Sequence, residues 1–463
     1  MPVSDEKSST IGRATTTVDP LELYRHKKLG KRGDQVNAFV YPPALKSQEA
    51  LDVPASLLEK MLLKHLFTAG TQRTDALASK LCIPVTLLDK SITFLRNEAL
   101  IEAHSRIHTS IGEILHLILT DRGRELARSY IEENAYVGPL PVSYGAYCQR
   151  VQLQTIKDQV VDRAQMQAVY GSLVIDPNVL RQIGAAFNSG NSIFLFGPAG
   201  TGKTFVASHM VNLLEGDILV PYAVEVEGQI IRVYDPTVHE AVPVVRNEMQ
   251  HLVASEDERA FDARWVRCKR PVVMAAGELT LDMLELKLQS STGFYDAPLQ
   301  MRANGGLLII DDLGRQVVNT SQLLNRWILP LENGEDYLSL HTGLKLRIPF
   351  DVLPVFSTNI SPHELADEAF LRRLGYKIHM DYITAEDYAL IFQQYCATNQ
   401  LQYDENMVNF LLQEMYQPQG RRLAASHPKE LINKVIDFSL YEGKKPIITN
   451  ELLKQAWDTF FLN

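Results

Sequence analysis

The chain has 463 residues, 46% of them hydrophobic and 22% charged, with a formal charge of −9. This is the make-up of an ordinary globular protein of two or three domains, and it argues against a dedicated nucleic-acid coat. No apolar run is long enough to cross a bilayer, the start MPVSDEKSST lacks a leader pattern, and Cys82, Cys148, Cys268 and Cys396 form no CxxC pair; a cytoplasmic protein with reduced thiols and no membrane insertion is expected.

Residues 1–50 are polar and then basic, with Arg25, His26, Lys27, Lys28, Lys31 and Arg32 close together. A flexible, solvated arm is expected in preference to a docking segment for an acidic partner. Over 51–135 the pattern turns helical. Leu57, Leu58, Met61, Leu62, His65 and Leu66 recur at helical spacing up to Gly70, and further helices fit Thr74–Leu81 and Val85–Leu100. Two extended stretches, Ile101–His108 and Glu113–Leu119, precede a closing helix from Thr120. Three helices, a two-stranded wing and a last helix resemble a winged helix-turn-helix domain. The resemblance admits DNA as a partner, but from Asp52 to Glu133 ten Lys and Arg face eleven Asp and Glu. Duplex binding draws its affinity from neutralised phosphates, so protein docking is the favoured role.

Residues 136–170 read as a Pro/Gly/Tyr-rich linker followed by a helix. From Gly171 strands alternate with helices, the pattern of a parallel sheet covered on both faces. The apolar run Ser192–Phe196 leads into Gly197-Pro198-Ala199-Gly200-Thr201-Gly202-Lys203-Thr204, and a helix-compatible run, Phe205–Leu214, leads out. This fits the phosphate-binding loop G-x-x-x-x-G-K-[ST]. Its glycines let successive backbone N–H groups face one anion, Lys203 reaches the β- and γ-phosphates, and Thr204 offers a hydroxyl to Mg²⁺. A nucleoside triphosphate, ATP or GTP, is the implied ligand. Downstream, Gly305–Asp312 is an apolar strand ending in two carboxylates, of which Asp311 suits the metal and Asp312 suits the attacking water.

With these motifs the chain resembles an AAA+ ATPase from Gly171 onward. The implied fold is a three-layer αβα P-loop core over 171–383 with a helical lid over 384–463. The resemblance makes Asn359, at the end of Val352–Thr358, the polar sensor of the attacking water. It makes Arg372 and Arg373, closing the run Asp367–Leu374, the arginine fingers supplied to the neighbouring subunit. Two departures stand out. The second acid is Asp312 where the family usually has Glu, which admits slow hydrolysis or a mere switch. In the lid, His427-Pro428-Lys429 stands where Pro-Arg is usual, so Lys429 is the sensor 2 candidate, without the guanidinium fork; Arg421 and Arg422 are nearby substitutes.

Two hairpins are also expected, at Ile218–Tyr234 turning on Glu227-Gly228, and at Tyr337–Ile348 turning on His341-Thr342-Gly343. A strand, Pro271–Ala275, and a helix around Leu279–Leu288 lie between them. A hairpin before the sensor strand resembles the MoxR and magnesium-chelatase branch, where such hairpins often face a central channel; packing against a neighbour is the alternative. Phe294-Tyr295 is a further candidate for substrate contact. The expectation is thus a ring of identical subunits, six by resemblance, that uses ATP and Mg²⁺ to remodel a protein client. A DNA-binding regulator or loader and a slowly hydrolysing switch are the alternatives.

Overall fold

The computed structural model describes residues 41–109, 112–243, 261–365 and 367–461. The basic cluster Arg25–Arg32 lies outside the described residues. From Tyr41 the chain is already packed: the Tyr41 ring lies 4.5 Å from that of Phe261, and Asp262 N donates to Pro42 O at 3.0 Å.

The first elements are α1 (Ala55–Ala69), β1 (Gln72–Arg73), α2 (Thr74–Leu81), α3 (Asp89–Asn97), β2 (Ile101–Thr109), β3 (Gly112–Leu119) and α4 (Asp121–Glu133). Strand β3 is central between β1 and β2. Leu58, Met61, Leu62, Leu77, Leu88, Leu95 and Leu117 fill the core between helices and sheet. Thr120 caps α4 by accepting from Gly123 N at 2.9 Å. Position 123 must be glycine, because a Cβ there would stand 1.9 Å from Leu100 O.

The stretch expected as a linker carries β4 (Val142–Ser143), α5 (Tyr144–Leu153) and α6 (Arg163–Tyr170), with Tyr147 and Tyr170 buried. Its backbone is drawn into the neighbouring sheets, since β4 pairs in parallel with a strand far downstream. Next come α7 (Pro177–Ser189), β5 (Ile193–Phe196), α8 (Lys203–His209), β6 (Asp217–Pro221), β7 (Ala223–Val226) and β8 (Gln229–Arg232). Then follow β9 (Trp265–Lys269), β10 (Val272–Ala275), β11 (Lys287–Leu288), β12 (Tyr295–Asp296), β13 (Leu307–Ile310) and α9 (Thr320–Asn333). The core closes with β14 (Glu335–Ser339), β15 (Lys345–Pro349), β16 (Leu353–Thr358), α10 (Glu368–Arg373) and β17 (Tyr376–His379).

The main sheet is parallel throughout, in the order β10-β13-β16-β5-β17. Its central strands β13, β16 and β5 are buried at nearly every position because both faces are covered. In β13, Leu307 and Ile309 join Val206, Ile183 and Val355 on one face, while Leu308 and Ile310 join Trp327, Leu323 and Phe356 on the other. Parallel strands place all their carboxyl ends along one edge, where open α/β sheets bind ligands.

A second sheet has the order β11-β12-β8-β7-β4. Here the first expected hairpin needs correction. Its turn is at Glu227-Gly228 (φ 48° and 78°) and joins β7 to β8, but the residues before it, β6, pair instead with β9. Tyr222 is the pivot: its N–H donates to Arg264 O at 3.1 Å, and its carbonyl accepts from Val233 N at 3.1 Å. The helix expected over Leu279–Leu288 is also corrected, to a single 3-10 turn at Leu281–Leu284 followed by β11. The carbonyl of Leu284, which a helix would use internally, accepts from Gln300 Nε2 at 2.7 Å and Arg326 Nη2 at 3.3 Å.

The chain ends in α11 (Ala385–Thr398), α12 (Glu405–Phe410) continued by a π-helical run Leu411–Tyr416, α13 (His427–Tyr441) and α14 (Asn450–Phe460). Trp457, Tyr388, Phe392, Leu431 and Val435 are buried between them. Among the described residues no helix is long and apolar enough to cross a membrane.

Candidate nucleotide site

The loop after β5 is shaped by backbone conformations that side chains resist. Gly197, Gly200 and Gly202 have φ of 142°, 78° and 90°. A Cβ at Gly197 would stand 2.1 Å from Met380 O, on the chain leaving β17, so the loop can pass there only as glycine. Met380 N donates to Phe196 O at 2.8 Å, pinning the loop's entry. Lys203 is 5% exposed, and its Nζ donates to Gly197 O at 2.9 Å and Pro198 O at 2.7 Å. Burial pulls its pKa down from the usual lysine value, while Asp311 and Asp312 pull the other way.

Strand β13 lies two places from β5, with β16 between them, yet its terminal acid reaches the loop. The Thr204 hydroxyl lies 2.8 and 3.0 Å from the two oxygens of Asp311. The next residue, Asp312, turns the chain back at φ 47° and points an exposed carboxylate along the same edge. Asn359, leaving β16, donates from Nδ2 to Asp312 Oδ1 at 3.1 Å. The turn is tied to β16 by Leu313 N to Ser357 O at 2.8 Å and Thr358 Oγ1 to Leu313 O at 2.7 Å. Three chain segments thus bring Lys203, Thr204, Asp311, Asp312 and Asn359 together.

These residues fit Mg²⁺. A hydroxyl and a carboxylate on one side are hard oxygen donors, and magnesium completes its octahedron with water and phosphate oxygens. No group of three His, Cys, Asp or Glu converges as a metal cage among the described residues, and a phosphate-bound ion needs none.

The C-terminal helical segment, expected as a lid, reaches the same loop. Ser426 N, at the start of α13, donates to Gly200 O at 3.0 Å, and Ile383 N donates to Leu423 O at 2.9 Å. Lys429 is exposed in the first turn of α13. Arg421 faces the lid's own core, with its guanidinium 4.4 Å from the Phe461 ring centre, and Arg422 is exposed. Ser426 was not anticipated; a serine before a histidine carries no signal until the lid is docked.

Of the two arginines on α10, Arg373 bonds Glu332 of α9 at 2.6 Å. Arg372 is 80% exposed and, among the described residues, pairs with the equally exposed Glu368 one turn back, at 3.3 Å. The candidates for substrate contact differ from expectation. Phe294 and Tyr295 are buried, at 8% and 1% exposure, and Tyr295 Oη bonds the His341 ring. The β14–β15 hairpin buries Leu338, Leu346 and Ile348 on one face, and leaves Tyr337 exposed on the other and Leu344 exposed at its tip.

The core is therefore an α/β P-loop nucleotide-binding fold. Residues 384–459 match the model of a family described as a domain of unknown function (DUF8689). No curated protein matches the chain. Among solved structures, a Thermotoga maritima RuvB P216G mutant aligns at 12% identity and TM-score 0.35, over 62% of this chain and 70% of that one. NtrX from Brucella abortus in complex with ADP aligns at 13% identity and TM-score 0.38, over 73% of this chain and 61% of that one. Likenesses this loose carry no argument about activity, and the fold class rests on the sheet order and the loop described above.

Proposed function

We propose that the chain is an AAA+ ATPase. It binds ATP with Mg²⁺ on the loop Gly197–Thr204, assembles into a ring of like subunits (six by family resemblance), and couples hydrolysis to remodelling or assembly of a protein partner. The observation that carries this reading is the pair of contacts at the sheet edge, Thr204 to Asp311 at 2.8 Å and Asn359 to Asp312 at 3.1 Å. One pair suits the metal and the other the attacking water.

In this reading Lys203 leaves the loop carbonyls and neutralises β- and γ-phosphate oxygens. Thr204 and Asp311 would hold the magnesium, whose charge stabilises the transferring phosphoryl group. Asp312 accepts a hydrogen bond from the attacking water, and Asn359 fixes both. Lys429, on the helix that touches Gly200, is the lid's cation. Arg372 reaches a neighbour's γ-phosphate, and Arg373 backs it through Glu332. A cation supplied in trans makes turnover depend on assembly.

The domain over 51–135 is read as a winged-helix-like docking module. Its helix α3 exposes Phe94 at 47% beside Asp89, Lys90 and Asn97, a mixed surface better suited to protein than to a phosphate backbone. The outer face of β14–β15 with Tyr337, together with Leu344 at the hairpin tip, is the candidate channel surface, in keeping with the MoxR-like branch.

The test measures ATP turnover against protein concentration while following mass in solution. Turnover should rise steeply as larger species form, and Lys203→Ala should abolish nucleotide binding. A chain that stays monomeric with ATP and Mg²⁺ and hydrolyses at a rate independent of dilution would reject the ring.

A further inference from the structure

We infer that Gln316 is the positioning residue that aims the water-orienting carboxylate, Asp312; this rests on the hydrolase reading above. Strand β13 ends at Ile310, and the next six residues, Asp311-Asp312-Leu313-Gly314-Arg315-Gln316, form a tight reversal. The side-chain amide of Gln316 spends its polar atoms on this reversal. Its Nε2 donates to Asp311 O at 3.0 Å and to Asp312 O at 3.1 Å, and its Oε1 accepts from Gly314 N at 2.8 Å. One planar amide thus spans the backbone of both acids and of the glycine after them.

The need for such a clamp follows from Asp312 itself. At φ 47° it occupies the left-handed region, which a residue with a Cβ resists. The conformation persists only if its surroundings enforce it, and such strain gathers at functional sites. The bonds to β16 hold Leu313 in place, and Gly314 presses against Ile360 and Leu365, where a Cβ would stand 2.7 Å from each. These contacts fix the far side of the turn. Arg315 N closes it on Asp312 O at 2.9 Å. Gln316 is the one side chain among the described contacts that holds both acidic residues' carbonyls at once. Fixing those peptide planes fixes the direction in which the Asp312 carboxylate leaves the chain, and so its meeting with Asn359. The short aspartate tolerates less error in aim than a longer acid, because it has one torsion fewer with which to recover it.

The role predicts a specific kinetic signature. Nucleotide is gripped by Lys203 and Thr204 on another loop, so loss of the clamp should leave KM and nucleotide affinity near native while kcat falls about tenfold. Gln316→Met keeps length and packing and removes all three hydrogen bonds. Gln316→Glu keeps an acceptor for Gly314 N and loses both donors to the carbonyls. Both variants should lose kcat, measured on the full chain with Mg²⁺ and ATP, with melting temperature and binding of a fluorescent ATP analogue as companions.

The decisive comparison adds Gln316→Met to Asp312→Asn. If Gln316 acts through Asp312, the double variant is no slower than Asp312→Asn alone. A Gln316→Met enzyme with native kcat would overturn the assignment, as would full multiplication of the two losses. If the native chain and Lys203→Ala hydrolyse ATP equally slowly, the hydrolase reading fails and this inference with it. If the native chain turns over, Lys203→Ala does not, and Gln316→Met is unimpaired, only the clamp is wrong.

Discussion

Arg264 is 2% exposed and joins three separate stretches of chain. Its Nε and Nη2 bond both oxygens of the buried Asp262 at 3.0 and 2.7 Å, and Nη1 bonds Asp52 at 2.7 Å and Pro141 O at 3.1 Å. Asp52 also accepts from Ser143 N at 2.8 Å, so the clamp ties the start of the helical module and β4 to β9. Arg264→Met fills much of the same space but strands Asp262, 5% exposed, without its counter-ion. Breaking a buried pair from one side costs about 3–5 kcal/mol, because an uncompensated charge is left behind. Removing the charges together costs far less, so Arg264→Met with Asp262→Asn and Asp52→Asn should recover most of the loss. Urea unfolding followed by far-UV circular dichroism reads this, comparing midpoints with unchanged slope. A loss below about 1 kcal/mol for Arg264→Met would mean that the buried carboxylate finds water or protonates, and the clamp argument would fail. The pH dependence has a definite sign. Burial pushes the Asp52 carboxyl up, but Arg264 and the Ser143 N–H outweigh it and hold the carboxyl below its ordinary value. A depressed folded pKa gives stability that is present above the unfolded value, about 3.9, and lost as pH falls through the folded one. Arg264→Met should blunt that acid-side slope.

Three further outcomes are expected. Arg372→Ala should reduce turnover by about 10³-fold or more with little change in melting temperature, whereas Arg373→Ala, by freeing Glu332, should also lower the melting temperature; two fully active variants would remove α10 from the intersubunit site. Asp312→Asn should retain ATP binding and hold nucleotide and client together in a pull-down, and a turnover equal to native would instead favour a switch. Burial, helped by Arg421, pushes His427 down to about 4, so its neutral form belongs to the folded lid; stability is complete above the unfolded value of about 6.5 and drains away as pH falls toward 4. His427→Gln should flatten that slope in the fluorescence of Trp457, whose ring packs on Tyr416 beside it, and an unchanged slope would place the acid sensitivity elsewhere.

The phosphate loop is readable in the chain because its residue types are dictated locally. Positive φ at Gly197, Gly200 and Gly202 leaves little choice of side chain. The strands that carry Asp311 and Asn359 are readable for a related reason, since burial on both faces demands unbroken apolar runs. What escaped was non-local. The second sheet is assembled from strands of two to four residues, Val142–Ser143, Ala223–Val226, Gln229–Arg232 and Tyr295–Asp296 among them, too short to display a period. The apolar spacing of Leu279–Leu288 suits a helix equally well, and only the capture of Leu284 O by Gln300 and Arg326 decides against it. Gln316 is invisible for the same reason, as its amide acquires meaning only when the reversal folds under it.

The parts of the site differ in how firmly they are tied, and the difference follows from the sheet. Asp311, Asp312 and Asn359 leave two neighbouring strands of one parallel sheet, and Thr204 stands at the start of the helix that follows a third, with β16 bonded directly to the other two strands, so their spacing is set by a rigid element. Among the described residues the C-terminal helices meet the loop through one backbone bond, Ser426 N to Gly200 O, and through the connection near Ile383. Phosphate binding in the proposed reading recruits the N–H groups around Gly200 and draws Lys203 off the Gly197 and Pro198 carbonyls. The first change acts on the residue that Ser426 grips, and the second on the two residues that open the same loop. In the proposed reading the C-terminal helices are therefore the element placed to move with nucleotide state, while Asp311, Asp312 and Asn359 stay fixed. Ser426→Pro removes the donor from that contact and should loosen lid from loop while leaving the sheet edge intact. Lid amides over 384–459 should then exchange hydrogen equally fast with and without nucleotide, and a nucleotide-dependent difference that survives the substitution would place the coupling elsewhere.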